Sequence, residues 1–431
     1  MAYANNALVC VAWALLYRYA DFVTLLGGTE LHLGWVVGVG WIGSVLMRFG
    51  VGLRIDQVGP RPIWLGSLLL FSAACLGHLG VTRCDGPAIY ALRIALCTGT
   101  AGIFGASTMF VAGRASGPRM AELLGMLGTS GFLGMMLGTH LGDWMCGSSP
   151  SQDGAVRMFL GAALLGLGAV PFAWAATRKL RPPVPQRSLP VAWLVGRYHP
   201  GMLLVVSVAT GAALTLPATF LRTYAAELQI PRIGLFFTVA ALTAVTTRVV
   251  TRRLLERVGL PRMILLGVGT MALAQVLFLL VRAEWQLILP GLVHGVAQAI
   301  LYPTITAAGT SAFPERYRGL GTMVMLATLD VGQLIGAPAA GVILHGSEAL
   351  GFASYPTMFV VMAAALLAAA GSYAMSLRRG AEGRVARAPC PCFARSTGET
   401  PVPPRVSIEV RRPTTAPQAA GSSRSTAAAR R

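Results

Sequence analysis

Twelve apolar stretches of about 20 residues, each closed by a short polar turn, leave few folds open to this chain. They fall at 8–27, 34–53, 62–81, 88–111, 120–144 and 156–176, then at 201–222, 233–254, 263–281, 286–310, 320–345 and 356–377. A helix of that length matches the hydrocarbon thickness of a bilayer and satisfies its own backbone hydrogen bonds there. Composition argues against a soluble alternative. Hydrophobic residues make up 55% of the chain and charged ones 12%, against roughly a quarter charged in soluble domains. A soluble chain this apolar would lack the polar surface to cover its core. The 51 glycines suit close helix packing in lipid. The expectation is an all-α integral membrane protein with twelve transmembrane helices.

A short polar pattern occurs twice, at positions offset by 200 (Arg48 and Arg248, Gly59 and Gly259). The first copy holds Arg48, Asp56, Gly59 and Arg61; the second holds Arg248, Glu256, Gly259 and Arg262. In each, the acid follows the arginine by eight residues and the glycine follows the acid by three. Each copy joins the second and third apolar stretches of its half. Such a repeat in two apolar halves marks an internally duplicated membrane transporter. Two pseudosymmetric six-helix bundles are expected, at 1–177 and 200–377, with a Pro- and Arg-rich cytoplasmic linker at 178–199. The tail at 378–431 carries eleven arginines among Pro, Ala, Ser and Thr and is expected to be disordered, with anionic headgroups as an alternative resting place. Cys390 and Cys392 lack the spacing and partners of a zinc site.

Orientation follows from the arginines. With the N-terminus inside, seventeen basic residues fall on inner connections and helix ends, among them Arg61, Arg114, Arg178 and Arg257. Only Arg83, Arg157, Arg222, Arg232 and Arg282 fall outside. This bias predicts a multi-pass protein of the plasma (inner) membrane with both termini cytoplasmic. The net charge of +19 is then mainly an orientation signal, and no nucleic-acid partner is expected. Residues 1–17 carry no charge, so the first segment lacks the basic start of a signal peptide. The sequence offers no phosphate-binding loop and no set of nucleophile, base and oxyanion donors. Neither ATP-driven transport nor an enzyme is expected, and neither a cofactor nor a metal.

The loop containing Gly52, Asp56, Gly59 and Arg61 resembles the signature between the second and third helices of the major facilitator superfamily, with Gln57 and Pro60 where basic residues are usual. Glu256, Gly259 and Arg262 resemble its degenerate second copy. Tyr302-Pro303-Thr304 and the Pro314–Gly319 segment resemble the end of helix ten and the loop after it. The resemblance spans about residues 8–377 and implies a conformational latch, in which the Asp56 carboxylate meets inner helix ends and releases them in the other access state. A topogenic surface loop is the simpler alternative. The resemblance also implies that helices one, four, seven and ten line a central cavity.

Charges inside spans are expensive in lipid and are therefore candidate site residues. Arg18 and Asp21 share a face of helix one at i, i+3. Arg93 lies in a segment resembling the superfamily's helix-four arginine motif, with Cys97 replacing its glycine. Linked, Arg18, Asp21 and Arg93 would bind an anion or couple a proton; unlinked from transport, they would form a structural ion pair between helices one and four. Arg48 and Arg248 occupy pseudosymmetric places on helices two and eight. Their planar donors suit an oxyanion, and their placement resembles arginines of nitrate/nitrite porters and, for helix eight, of monocarboxylate transporters. Snorkelling to the inner boundary is the plainer reading. His294 and Gln298 at i, i+4 either line the cavity or make an interhelical hydrogen bond. Asp330 either titrates or pairs with an inner arginine. His78 and His140 read as packing residues. Gly332, Gly336, Pro338 and Gly341 resemble an antiporter motif expected on helix five instead.

The sequence thus predicts a secondary active transporter of a small solute, an organic or inorganic anion, with proton coupling and alternating access. It would work as a monomer in the lipid bilayer. A hydrophobic-compound or drug efflux pump is the alternative within the class. A non-transporting sensor or scaffold is the alternative outside it.

Overall fold

The computed structural model describes residues 1–112, 114, 118–180, 191–251 and 258–385. The side chains of Gly52 and Asp56, all of Glu256, Cys390 and Cys392, and most of the expected linker and tail lie outside the described residues. Helix α1 (Ala2–Leu15) passes through a 3₁₀ turn at Leu16–Arg18 into α2 (Tyr19–Leu25). Then come α3 (Glu30–Val58), α4 (Pro60–His78), α5 (Pro87–Ala112), α6 (Pro118–Cys146) and α7 (Gln152–Thr177). A short α8 (Val191–Tyr198) precedes α9 (Leu203–Glu227), α10 (Gly234–Thr251) and α11 (Leu260–Leu277). The last three are α12 (Ile288–Thr310), α13 (Arg318–Ala349) and α14 (Ser354–Val385). Among the described residues every regular element is helical. Met1–Gly380 form one compact unit; Ala381–Arg431 form a second, described only as far as Val385.

Ten helical segments among the described residues are long and apolar enough to cross a membrane, the first combining α1 and α2. Helices α4 and α6 fall at the third and fifth of the twelve expected spans but outside these ten. Polar residues account for this in part, since α6 contains Thr129, Ser130, Thr139, His140 and Asp143. Large apolar side chains face outward on many helices: Leu46, Leu164, Leu266 and Leu367 are each more than half exposed, as lipid-facing residues should be. We call the end of the bundle bearing residue 1 the near end and the end reached at Leu25 the far end.

The duplicated pattern has a duplicated geometry. Gly59 (φ 80°) and Gly259 (φ 84°) both adopt the left-handed conformation that glycine enters without a Cβ clash. Each is followed by proline within the first turn of the next helix, α4 or α11. The latch function expected for these loops rests on side chains outside the description.

Glycines decide the closest helix pairs. Gly134 and Gly138 let α6 press onto Cys10 and Val11 of α1. The stripe Gly332, Gly336, Pro338 and Gly341 has a packing role on α13. Gly332 and Gly336 meet Gly211 and Ala212 of α9, while Pro338 and Gly341 meet Gly38 and Gly34 of α3. Helix α13 is therefore packed on helices from both halves of the chain. Cys84 and Cys146, which share the far end, are unbridged.

Contact tightness predicts a contrast between two substitutions. A Cβ at Gly34 would lie 2.5 Å from the Ala337 carbonyl oxygen, whereas one at Gly66 on α4 would meet nothing within 4 Å. Gly34→Ala should destabilise by about 1–3 kcal/mol through overpacking. Gly66→Ala should be neutral or gain up to about 1 kcal/mol of helix propensity. Thermal unfolding of the purified protein in detergent checks both; equal melting temperatures would contradict the α3–α13 contact.

Candidate substrate and gating site

The 3₁₀ turn between α1 and α2 places Arg18 and Asp21 side by side near the far end. Arg18 Nε donates to Asp21 Oδ2 at 2.5 Å, and its Nη1 donates to Asp143 Oδ1 of α6 at 2.9 Å. The third guanidinium nitrogen donates to the Gly147 carbonyl at 2.8 Å. From α9, Arg222 Nε donates to Asp21 Oδ1 at 2.9 Å and Nη2 to the Ser148 carbonyl at 2.8 Å. Asp143 Oδ2 accepts the backbone N–H groups of Ile233 and Gly234 at 3.1 and 2.8 Å. Those amides open α10, where the helix dipole favours a negative charge.

Two arginines and two aspartates make this lattice electrically neutral, and side-chain exposures of 1–10% show that it is withdrawn from water. Burying charges costs least when they are paired and hydrogen-bonded, as here. The lattice also joins the halves, because Arg222 and the α10 amides reach across to Asp21 and Asp143. His140 and Thr238 share a 2.7 Å hydrogen bond over the same seam, and the Tyr17 and Phe237 rings lie 4.8 Å apart beneath it. His140 is thus a cross-half contact rather than the packing residue its sequence suggests. Beyond the seal, a far-end cavity of ≈ 800 Å³ is lined by residues including Trp144, Arg232 and Glu284.

Toward the near end, Asp330 of α13 meets α3. Ser44 donates to its Oδ2 at 2.5 Å, Arg48 Nε donates to the same oxygen, and Arg48 Nη2 donates to Oδ1 at 3.3 Å. This bidentate pair neutralises Arg48. Tyr302 of α12 lies within electrostatic reach of Arg48, Asp330 and Arg248.

The other two membrane arginines are placed differently. Arg93 of α5 is buried with its guanidinium 4.5 Å from the Tyr19 ring centre and 5.5 Å from that of Trp13. Its Nε and Nη1 have no hydrogen-bond partner. Arg248 of α10 lies 4.7 Å from the Phe132 ring centre, and its Nε is also unpartnered. Neither forms an ion pair among the described residues. His294 packs on Phe236 with ring centres 5.4 Å apart and leaves Nδ1 unpartnered; Gln298 Oε1 is unpartnered as well.

The profile of the Major Facilitator Superfamily matches residues 1–231 and again 201–397. The chain belongs to the Major Facilitator Superfamily. Solved transporters of this architecture are similar along nearly their full length. A nucleoside transporter, NupG, shares 14% identity at TM-score 0.69, covering 86% of this chain and 96% of its own. A POT family transporter bound to a thioalcohol-conjugated peptide shares 13% at TM-score 0.70, covering 88% and 94%. A bacterial homolog of the human lysosomal transporter Spinster, inward-facing and occupied, shares 13% at TM-score 0.65, covering 88% and 96%. A search of curated protein sequences gives no match. At these identities the structures establish the fold alone. Membership of the superfamily makes this a multi-pass membrane transporter and not an enzyme.

In this superfamily member the expected residues are grouped in an unexpected way. Arg18 joins Asp21, and Arg48 joins Asp330, but Arg93 is not joined to Arg18 or Asp21. Arg48 and Arg248 do not act as equals, since only Arg48 has a carboxylate. Arg61 is half-buried at the start of α4 and Arg262 is exposed at the start of α11. Two lattice members, Asp143 and Arg222, were not singled out by sequence. Asp143 is the one acid in the far half of α6, and Arg222 sits inside α9, so both carried the signal of a charge within a span.

Arg222→Gln should therefore loosen the far-end seal. Removing one member of a buried ion pair costs about 3–5 kcal/mol when the partner stays dry, and less if water enters. In a background without native cysteines, Tyr17→Cys should react with a membrane-impermeant thiol reagent from the far side only when Arg222→Gln is also present. Equal reactivity with and without Arg222→Gln would mean that the lattice does not hold the seal.

Proposed function

We propose that this protein moves a small organic anion across the plasma membrane by alternating access, coupled to a proton. The supporting observation is the charge balance of the membrane interior. Among the described residues Arg18, Arg48 and Arg222 are matched by Asp21, Asp143 and Asp330, while Arg93 and Arg248 are unmatched. An uncompensated guanidinium in a low-dielectric interior favours an anionic ligand, and its fork of N–H groups fits a carboxylate. One such arginine stands in each half, so an anion passing from one to the other would engage both halves.

Asp330 offers the coupling step. A proton on its carboxylate would release Arg48, adding a third unmatched arginine beside Tyr302 and Arg248. Proton uptake and anion binding would then reinforce each other, giving symport that increases as pH falls on the loading side. Asp21 is a weaker candidate because two arginines share it. The positive-inside bias puts both termini in the cytoplasm, so the far-end lattice would be the outer gate. Asp56, in the last turns of α3, and Glu256 would latch the inner ends in the opposite state, and a monomer suffices for the cycle.

Proteoliposomes containing the full chain test this reading. Labelled small monocarboxylates should accumulate under an inward proton gradient, whereas nucleosides and dipeptides should not. Arg248→Gln should lower anion uptake about tenfold or more, the scale of one lost charge-assisted hydrogen-bond pair. Asp330→Asn, which leaves Arg48 permanently unmatched, should keep anion exchange but lose accumulation driven by pH. Gradient-driven uptake of neutral solutes without any anion flux would sink the proposal.

A further inference from the structure

We propose that Arg93 and Trp41 form a seat for the carboxylate of a planar, singly charged organic acid. This deepens the anion reading above by naming a binding site and a ligand class. Three buried N–H groups lack partners in one neighbourhood: Arg93 Nε, Arg93 Nη1 and Trp41 Nε1. All three can only donate. A buried donor without an acceptor is costly, so a cluster of them is a standing demand for an acceptor. The neighbourhood is set by backbone contact. A Cβ at Gly40 would lie 2.6 Å from Arg93 Cγ, and one at Gly43 would strike the Ile94 carbonyl and the Thr98 hydroxyl. Helix α3 is therefore pressed onto α5 at Gly40, the residue before Trp41. Trp13 connects them, its ring centre 5.9 Å from that of Trp41 and 5.5 Å from the Arg93 guanidinium carbon.

The surroundings define the ligand. Trp13, Trp41 and Tyr19 give flat apolar walls, and the Tyr19 hydroxyl is engaged with His78 at 3.2 Å. Each carboxylate of the interior, Asp21, Asp143 and Asp330, is already held by arginine. An ammonium group would find no free carboxylate, so amino acids and peptides would bury an unpaired charge. A planar oxyanion without a cation fits: an aromatic or similarly flat monocarboxylate, with nitrate as the inorganic source of the same chemistry.

The seat is separate from Arg248. Arg93 is six residues from the start of α5 (93 − 87) and Arg248 fourteen from the start of α10 (248 − 234), both counted from the far end. At 1.5 Å per residue their depths differ by about 12 Å, too far for one carboxylate to bridge. Arg248 would thus serve passage, and Arg93 would hold the anion nearer the far-end gate.

Equilibrium binding to the purified full-length protein tests the seat, with benzoate as probe and phenylalanine, benzylamine and nitrate as comparisons. Benzoate should bind, and phenylalanine and benzylamine should not. Trp41→Phe keeps an aromatic ring but removes one N–H. It should weaken benzoate about tenfold while leaving the unliganded melting temperature at the wild-type value. Arg93→Gln should abolish binding, and Arg248→Gln should leave affinity within about twofold while slowing transport. Unchanged benzoate affinity in Trp41→Phe and Arg93→Gln, with loss in Arg248→Gln, overturns the seat and leaves the anion reading standing. Nitrate binding tighter than benzoate, or phenylalanine binding equally well, overturns the ligand class. Failure of every anion to bind the wild type removes the anion reading itself.

Discussion

A guanidinium or carboxylate inside a bilayer must find a partner, and this one constraint orders the functional interior of the protein. Five arginines of the interior share it with three aspartates. The matched groups assemble into two polar contacts, the far-end lattice and the Arg48–Asp330 pair, and both join the halves of the chain. The unmatched arginines, Arg93 and Arg248, lie against aromatic rings instead. A ring face gives a cation partial compensation, on the order of 0.5–2 kcal/mol, without occupying its hydrogen bonds. Such a guanidinium keeps its N–H groups free in a way that a salt-bridged one does not.

Helix packing determines which charges can meet. Gly34 and Gly38 hold α3 against α13, which places Ser44 and Arg48 opposite Asp330 further along the same pair. Gly134 and Gly138 hold α6 on α1, which brings Asp143 up to Arg18. Small residues thus act on the electrostatics indirectly. Dispersion contact between backbones, the main attraction available between helices in lipid, fixes the register in which the polar groups pair.

The fold was legible because its signals are local. Span length, the repeated Arg–acid–Gly pattern and the basic loops each need only a few residues of context. The two repeat glycines even share one backbone conformation. The site was legible only as a list of charged positions. Pairing depends on which helices touch, and sequence spacing favoured Arg18 with Asp21 while leaving Asp143 and Arg222 unremarked. Arg93 misled for the same reason: the rings it lies against, Trp13 and Tyr19, look like ordinary aromatic residues of apolar spans. The α13 glycine stripe resembled an antiporter motif, yet its contacts with α9 and α3 account for its small residues.

The bonds of the far-end lattice divide unequally between the halves. Arg18 bonds Asp21 and Asp143 within the first half, so those links survive any movement between halves. Of the lattice's own bonds among the described residues, the Arg222–Asp21, Arg222–Ser148 and Asp143–α10 amide bonds cross the seam, beside the His140–Thr238 bond. Separation would leave a net charge of −1 on the first half's members (Arg18, Asp21, Asp143) and +1 on the second's (Arg222). Both faces would then border an open cleft and be hydrated, so the heavy cost of an unpaired buried charge would not arise. A lattice whose bonds all crossed the seam would strand four charges at once. By keeping most of its neutralisation inside one half, this arrangement is stable when dry and would part with a small electrostatic penalty if water entered.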